Sequence, residues 1–415
     1  MSNQGGTRSS RNWWIAAPTV GLVVVAAAWS GFWYYASGRA ERTVDAWRAR
    51  EAEAGRIYDC SNASFGGYPF RIEYHCTEPS VDDRPGSLAI RARSIAAVAQ
   101  VWDPTLVLGE IVGPLTLAPI GAAPAATIDW SFARGSLRGT PGAPERLSIV
   151  LDKPHLAAPL ASPADPLVKA EHGEFHARFA ADSTPGHPVL DLALDVSQLT
   201  APSLASTLGR PLGSLALGMT DASIVAVLRG ANDLAPKPLV QRLHEFQTAD
   251  GRLEITNARF AQGDLIATAA GTLRLTARGA LDGELQLIVI NFAKLIPLLG
   301  IDRAIAQVVP QETLMRYAPA IDKLVPGLGS ILRGSGSSAP GSASGTPGKE
   351  SSGNNASGNA ASANNNAGGA ALGAAVLGGQ PTELEGQSAV RLTLRFEDGA
   401  AFLGPFKIGQ VPALY

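Results

Sequence analysis

His172, Glu174 and His176 come closest to a reactive site by residue type and spacing. Alternate residues of a β-strand point to the same side, so these three side chains share one face, within reach of a single metal ion. Two imidazoles and one carboxylate are a ligand set of catalytic zinc sites. The usual motif for that set is a helical His-Glu-x-x-His, however, and Gly173 and the spacing depart from it. We therefore interpret the three residues as a solvated strand face and predict no metal site.

The rest of the sequence shows no pattern typical of an enzyme. No Gly-x-Ser-x-Gly elbow, phosphate-binding loop or Gly-x-Gly-x-x-Gly run stands between a predicted strand and a helix. The 34 basic and 36 acidic residues nearly balance, so the chain lacks the strongly basic face that nucleic-acid binding uses. Apolar residues make up 46% of the chain and aromatic ones only 6%, which suits long strands better than an aromatic catalytic pocket. We predict a non-enzyme with no cofactor and no nucleic-acid partner.

The only two cysteines, Cys60 and Cys76, flank one predicted strand. Cysteines this close in sequence form a disulfide in an oxidising compartment, and the bridge is worth about 3 kcal/mol in the loop-entropy model. The alternative is two free thiols that are buried as small apolar side chains. We favour the disulfide, which places the body of the chain outside the cytoplasm.

The N-terminal region predicts a membrane anchor. Residues 1–12 form a polar leader, which we place in the cytoplasm, and residues 13–36 run without a charged residue, long enough to cross the hydrocarbon layer. Residues 37–58 are rich in Ala, Arg and Glu and predict a connecting helix. A signal peptide cleaved near Ala36-Ser37-Gly38 is the alternative, and the arginines after the span favour a cytoplasmic body under the positive-inside rule. We expect an uncleaved single-pass anchor in the inner membrane, with the bulk of the chain in the periplasm.

Residues 251–289 show the longest alternation of apolar and polar residues, which predicts antiparallel sheet. A turn with an odd number of residues, Gly279-Ala280-Leu281, keeps the apolar residues on one face and places Arg278 opposite Asp282. We predict that this face is the wall of an open apolar groove. The groove residues are Leu265, Leu273, Leu275, Leu285, Leu287 and Val289.

The remaining segments complete a mainly β chain, an extended antiparallel sheet or open β groove with a few short helices. Residues 59–332 form the β-rich body, in which Leu239, Val240, Leu243 and Phe246 lie on one face of a capping helix. Residues 291–329 predict short oily helices that cover the sheet, or else a mobile lid or a membrane contact. Residues 333–381 are mostly Gly, Ser, Ala and Asn and predict a disordered insertion. Residues 382–415 then form a C-terminal hairpin of the same body.

Short motifs at both ends of the predicted body carry a family resemblance. They are Gly66-Gly67-Tyr68-Pro69-Phe70-Arg71, Trp102-Asp103-Pro104, Gly113-Pro114, Phe396, Asp398-Gly399, Gly404-Pro405 and Pro412. In this order the motifs resemble the uncharacterised bacterial membrane-protein family of unknown function 2125. The resemblance implies no activity, and the motif residues are typical turn formers and core residues. The strand and turn pattern after Gly251 is similar to the C-terminal part of AsmA-like proteins, which implies a long open β groove.

Two functions fit these observations. The first is a membrane-anchored periplasmic protein that binds or handles an apolar envelope component such as a lipid. The alternative is a non-catalytic envelope scaffold or assembly factor that binds other envelope proteins through its sheet edge. The expected partners are therefore the membrane and either a lipid or an envelope protein.

Overall fold

A computed structural model describes residues 13–140, 143–158, 166–184, 186–203, 218–231, 233, 237–294 and 379–415. Antiparallel β-sheet dominates these residues, which confirms the predicted class of a mainly β chain behind an apolar N-terminal helix. The chain divides into two compact units, Met1–Pro159 and Leu160–Tyr415. The body predicted as residues 59–332 therefore contains a boundary that the sequence pattern did not indicate.

Helix α1 (Trp13–Glu53) contains the predicted anchor and most of the predicted connecting helix. Its part from Ala16 to Glu53 is long and apolar enough to cross a membrane. The predicted helical stretch to residue 58 is too long, because the helix ends at Glu53 and a strand begins at Arg56. Gly55 stops the helix with a φ of +84°, a left-handed conformation that glycine adopts without strain.

In the first unit, strands β1 to β12 form two antiparallel sheets. The longer-stranded sheet has the order β2 (Asn62–Gly66), β3 (Arg71–Thr77), β6 (Ser94–Gln100), β7 (Asp103–Val112), β10 (Phe132–Thr140) and β11 (Ala143–Asp152). The shorter-stranded sheet has the order β1 (Arg56–Asp59), β4 (Ser80–Asp83), β5 (Leu88–Arg91), β8 (Leu115–Pro119), β9 (Ala126–Asp129) and β12 (His155–Ala157). Hairpin turns join β2 to β3, β6 to β7 and β10 to β11 in the first of these sheets, and β4 to β5 and β8 to β9 in the second.

Two-residue bends carry the chain from one of these sheets into the other. The bends are Cys60-Ser61, Glu78-Pro79, Ala92-Arg93, Gly113-Pro114, Trp130-Ser131 and Lys153-Pro154. Proline lacks a backbone N–H, so it interrupts the ladder of hydrogen bonds where it occurs. Pairing resumes across the bends, as where the N–H of Arg93 donates to the carbonyl of Val112 at 3.2 Å. Each long strand is therefore bent, and its two halves belong to different sheets.

The second unit contains one large antiparallel sheet and a short helix. The strands of this sheet are β14 (His172–Phe179), β15 (Leu190–Leu199), β16 (Thr220–Arg229), β17 (Arg252–Gln262), β18 (Leu265–Leu275), β19 (Leu281–Ile290), β20 (Gln380–Leu384), β21 (Gln387–Glu397), β22 (Ala400–Leu403) and β23 (Phe406–Gln410). The short strand β13 (Val168–Lys169) precedes them in the chain and is not part of this sheet. From β14 to β19 neighbours in sequence are neighbours in the sheet, and β21, β22 and β23 follow β19, with β20 also pairing with β21. Helix α2 (Leu239–Thr248) lies between β16 and β17 in the chain, where the sequence predicted a helix.

The pairing register gives this sheet one apolar face. Leu275 lies opposite Leu281 on β19, and Leu273 lies opposite Leu253 on β17. The same face continues onto β21, where Leu392 lies opposite Leu287. The largest fully buried side chains of the described residues lie on β19, β21 and β22, so the core of this unit is centred there.

The turn between β18 and β19 differs from the predicted one. Residues 276–280 separate the paired residues Leu275 and Leu281, an odd number of residues that keeps the apolar positions on one face as expected. The turn is longer than Gly279-Ala280-Leu281, however, so Arg274 and not Arg278 lies opposite Asp282. Arg274 Nε donates to Asp282 Oδ1 at 3.0 Å, and Arg278 pairs with Asp398 instead.

The C-terminal residues form more strands than the predicted hairpin at 382–415. Four strands, β20 to β23, occupy residues 380–410, and β20 begins inside the segment 333–381 that was predicted to be disordered. Pairing of β21 with β19 adds these strands to the sheet of the second unit. The leader at 1–12 and residues 295–378 lie outside the described residues. Of the predicted oily helices only a 3-10 turn, Phe292–Lys294, is described.

Candidate functional site

An apolar cavity of about 270 Å³ lies between α2 and the apolar face of the sheet in the second unit. Its floor comes from β16 to β19, since the register places Leu228, Leu253, Leu273 and Leu281 on the face that α2 covers. The lining residues are Leu228, Gly230, Ala231, Arg242, Leu243, Glu245, Phe246, Leu253, Leu273, Arg274, Leu275, Leu281 and Leu414. Apolar groups make up nearly all of the exposed wall. The cavity can therefore hold a hydrocarbon group and offers little for a polar ligand inside.

Helix α2 closes one side of the cavity with Leu243 and Phe246. These residues are three apart, and side chains at that spacing point to the same side of a helix. The other two residues of the predicted apolar helix face, Leu239 and Val240, are 70% and 58% exposed. The helix thus covers the sheet with only part of the face that the sequence predicted.

The last residues of the chain form another wall. The N–H of Leu414 donates to the carbonyl of Gly279 at 2.9 Å, which holds the segment against the turn between β18 and β19. The ring of Tyr415 lies against Gly279 and meets the imidazole of His244 edge-on, with the ring centroids 5.7 Å apart. A side chain on Gly279 would meet that ring, so a glycine is required here both for contact and for its φ of +71°.

Charged groups at one side of the cavity belong to an ion-pair network. Lys237 Nζ donates to Asp233 at 2.7 Å and to Glu245 at 2.8 Å, and Arg242 donates to Asp233 at 3.2 Å. The hydrogen bond from Lys237 is the main reason that the pKa of the Glu245 carboxyl is lowered. The charges of Arg242 and Glu245 are therefore compensated at the edge of the cavity, and its interior stays apolar.

The six predicted groove residues fall into two environments. Leu265, Leu285 and Val289 are buried, with exposures of 4%, 8% and 1%. Leu273 and Leu275 are half-buried and line the cavity. Leu287 is half-buried on the same face. The face is therefore packed at one end and borders a cavity at the other.

Several cavity residues did not figure in the groove predicted from the sequence. Leu228, Leu253, Leu281 and Leu414 add walls to the predicted pair Leu273 and Leu275. The first three follow from cross-strand register, which alternation in β16 and β17 indicates once the pairing order is known. Leu414 follows from no local pattern, because its contact depends on the path of the chain after β23.

His172, Glu174 and His176 lie on one face of β14, as predicted from alternation. The Nε2 atoms of His172 and His176 lie 2.9 and 3.1 Å from the two oxygens of Glu174, and each Nε2–H donates to one of them. These two hydrogen bonds, the His172 one foremost, lower the pKa of the Glu174 carboxyl. Within the described residues no group of three or more His, Cys, Asp or Glu side chains is placed to hold a metal ion.

Cys60 and Cys76 are joined by a disulfide, with a Cα–Cα distance of 5.7 Å. The bridge ties the segment between β1 and β2 to β3 in the first unit. Cys76 is 3% exposed, so half of the bridge lies in the protein interior. The bond joins two residues that are 16 apart in the sequence and closes a loop that contains β2.

Comparison with known proteins identifies the family. The family model described as "Uncharacterized protein conserved in bacteria (DUF2125)" matches residues 33–412, and the chain belongs to this family. No curated protein matches the chain significantly. The resemblance of the second half to AsmA-like proteins stays a prediction.

Proposed function

We propose that this member of the DUF2125 family is a non-enzymatic, membrane-anchored protein that binds an apolar component of the cell envelope in the cavity under α2. The observation that carries the proposal is the cavity itself, with walls of leucine from four strands, α2 and Leu414. Lipid acyl chains are the apolar groups that an envelope offers in quantity. Each methylene moved from water into such a site contributes about 0.8 kcal/mol.

The size of the cavity limits what it holds. Pockets for drug-sized ligands measure roughly 300–1,000 Å³, and this cavity of about 270 Å³ lies just below that range. A segment of one hydrocarbon chain fits, whereas a complete phospholipid does not. The remainder of a bound amphiphile would therefore lie outside the cavity, beside the charged groups of Arg242 and Glu245.

The proposed location is the periplasmic side of the inner membrane. Helix α1 is long and apolar enough to act as a single-pass anchor. The Cys60–Cys76 disulfide supports an oxidising compartment, because such bonds are rare in the cytosol. Arg39, Arg42 and Arg48, which follow the apolar part of α1, oppose this orientation under the positive-inside rule.

The test narrows the cavity by enlarging a side chain of α2. Leu243→Trp puts a larger side chain into the cavity, whereas Leu239→Trp adds the same ring one turn earlier on the helix, at a position that is 70% exposed and does not line the cavity. Both proteins are purified in detergent, and the lipid that copurifies is extracted and measured by mass spectrometry. We expect a several-fold loss of bound lipid in Leu243→Trp and none in Leu239→Trp. Equal lipid content in the two variants, with both folded by circular dichroism, would refute binding in the cavity.

A second candidate function, an envelope scaffold, is favoured by the free edge of the sheet. Among the described residues β23 pairs only with β22, so its outer backbone groups are open to another strand. Crosslinking in membranes through a photoreactive residue at Lys407, an exposed position of β23, tests this function. A single stoichiometric protein partner, together with lipid-free cavities, would support the scaffold over lipid binding.

A further inference from the structure

Exposed aromatic side chains gather where α1 meets the end of the first unit. Two turns meet there, the one at residues 67–70 and the one at Val101-Trp102, and the N–H of Val101 donates to the carbonyl of Phe70 at 3.2 Å. Tyr68, Phe70 and Trp102 are 55%, 58% and 59% exposed, which is unusual for such large apolar groups. We call these three side chains, with Tyr34 of α1, the aromatic platform.

Hydrogen bonds fix the platform to α1. Trp29 Nε1 donates to the carbonyl of Pro69 and Trp33 Nε1 donates to the carbonyl of Arg71, each at 2.8 Å. A small core of Trp33, Ile72 and Val101 packs beneath these bonds. The turns therefore keep a constant position along the helix, between the levels of Trp29 and Trp33.

The length of α1 indicates the depth at which the platform lies relative to a bilayer. At 1.5 Å per residue, the rise from Trp13 to Trp33 is about 30 Å, which equals the thickness of the hydrocarbon layer. When Trp13 lies at one interface, Trp33 lies at the other, and Trp29 lies about 6 Å deeper. Aromatic side chains are enriched at this depth because one part of the ring is apolar and another is polar. The platform stands at the depth where the bilayer meets water.

Neighbouring charges complement lipid head groups. Arg39 and Arg42 follow Trp33 within three turns of α1, on the side away from the hydrocarbon layer. The Arg71 side chain beside the platform is 62% exposed and contacts Glu73. Cations just above an aromatic belt attract the phosphates of anionic lipids.

We infer that the aromatic platform inserts into the lipid interface next to α1, so that the end of the first unit rests on the bilayer. The occupant of this surface is the bilayer and not a second protein, since the hydrogen bonds to Trp29 and Trp33 hold the platform at interface depth. The inference rests on the membrane anchor of the proposed function but not on the apolar cavity. It makes the first unit a body with two membrane attachments, one spanning and one interfacial.

The experiment measures depth at single added cysteines in the full chain, with the native disulfide left oxidised. Phe70→Cys reports on the platform, Val24→Cys on the apolar part of α1, and Ile120→Cys on an equally irregular exposed turn. Ile120 is a matched control because Trp102 directly precedes β7 and Ile120 directly follows β8. The two residues therefore lie at opposite ends of the same bent strand. Each cysteine carries an environment-sensitive fluorophore in vesicles of phosphatidylcholine and phosphatidylglycerol. Quenching is compared for a spin-labelled lipid and for aqueous iodide.

We expect lipid quenching several-fold stronger at positions 24 and 70 than at 120, and iodide quenching in the opposite order. Trp102→Cys repeats the measurement at a second platform position in case Phe70→Cys alters the turn. Lipid quenching at 24 with exposure to iodide at both 70 and 102 would overturn the inference and leave the anchor intact. Exposure to iodide at 24 as well would overturn the anchor itself. Protection of 70 and 102 from both quenchers would show that protein, either this chain or a second copy of it, covers the platform in place of lipid, and would also overturn the inference.

Discussion

The substitution Leu275→Asp tests whether Leu275 lies in the wall of a water-accessible cavity or in a sealed core. Leu275 is half-buried and borders the cavity, so a carboxylate there keeps access to water. Full burial of a leucine side chain contributes about 1.5–3 kcal/mol, and half of that, about 0.8–1.5 kcal/mol, is lost in the variant. In a unit of this size each kcal/mol lowers Tm by about 2–4 °C. We expect a folded protein whose Tm falls by about 2–6 °C and which has lost its copurifying lipid.

Val289→Asp is the control on the same face and the same sheet. Val289 is 1% exposed, so its carboxylate would be buried without a partner. An uncompensated buried charge costs about 3–5 kcal/mol, a large part of a total stability of about 5–15 kcal/mol. Thermal melts followed by circular dichroism, with lipid content by mass spectrometry, compare both variants with Leu275→Ala. If Leu275→Asp aggregates as Val289→Asp does, the cavity is closed to water and the reasoning is wrong.

Three further predictions concern the glycines, the ion pair and the topology. Gly283→Ala should lower the free energy of unfolding by about 1–3 kcal/mol in a urea melt, because φ is +135° and a Cβ would overlap the carbonyl of Thr272. Gly173 has open space around it, so Gly173→Ala should not lower the free energy of unfolding in this way, and equal losses in the two variants would contradict the prediction. Because the folded-state pKa of Glu174 lies below its unfolded value, its stabilising effect is present at neutral pH and is lost as the pH falls through the folded-state pKa. The Tm difference between wild type and Glu174→Gln should therefore shrink below about pH 4, and a constant difference down to about pH 2 would refute it. A C-terminal alkaline-phosphatase fusion should be active in cells, with Cys60 and Cys76 resistant to alkylation until reduced; an inactive fusion with free thiols would reverse the orientation.

Strand alternation predicted the sheet of the second unit well because it is a local property. Which residues of β18 and β19 share a face follows from a period of two, whatever the distant contacts are. The exact partner does not, because it depends on where the turn begins. Thr276 belongs to the turn, and its hydroxyl accepts a hydrogen bond from the N–H of Ala280 at 3.2 Å. The turn is therefore longer than predicted, and the cross-strand partner of Asp282 is Arg274 and not Arg278. The apolar pattern is the same for either turn and could not distinguish them.

The bends of the first unit show a different limit of sequence reasoning. Glu78-Pro79, Gly113-Pro114 and Lys153-Pro154 interrupt the strand pattern, because proline cannot donate to the ladder of hydrogen bonds, and each separates one strand from the next. Whether two such strands pair within one sheet or pass between two depends on which carbonyls the backbone N–H groups reach. Those partners are distant in sequence, as for Arg93 and Val112, and no local pattern encodes them.

Alternation also does not tell what covers an apolar face, although the covering determines whether that face can bind a ligand. Val289 and Leu275 belong to one pattern on one sheet, yet the first is sealed in a core and the second borders a cavity. The difference comes from α2 and the last residues of the chain, neither of which belongs to the repeat. A uniform covering of the face would leave no cavity and would favour the free edge of β23 as the functional surface. Because α2 turns only Leu243 and Phe246 toward the sheet, space remains beneath it, and the cavity is where binding is expected.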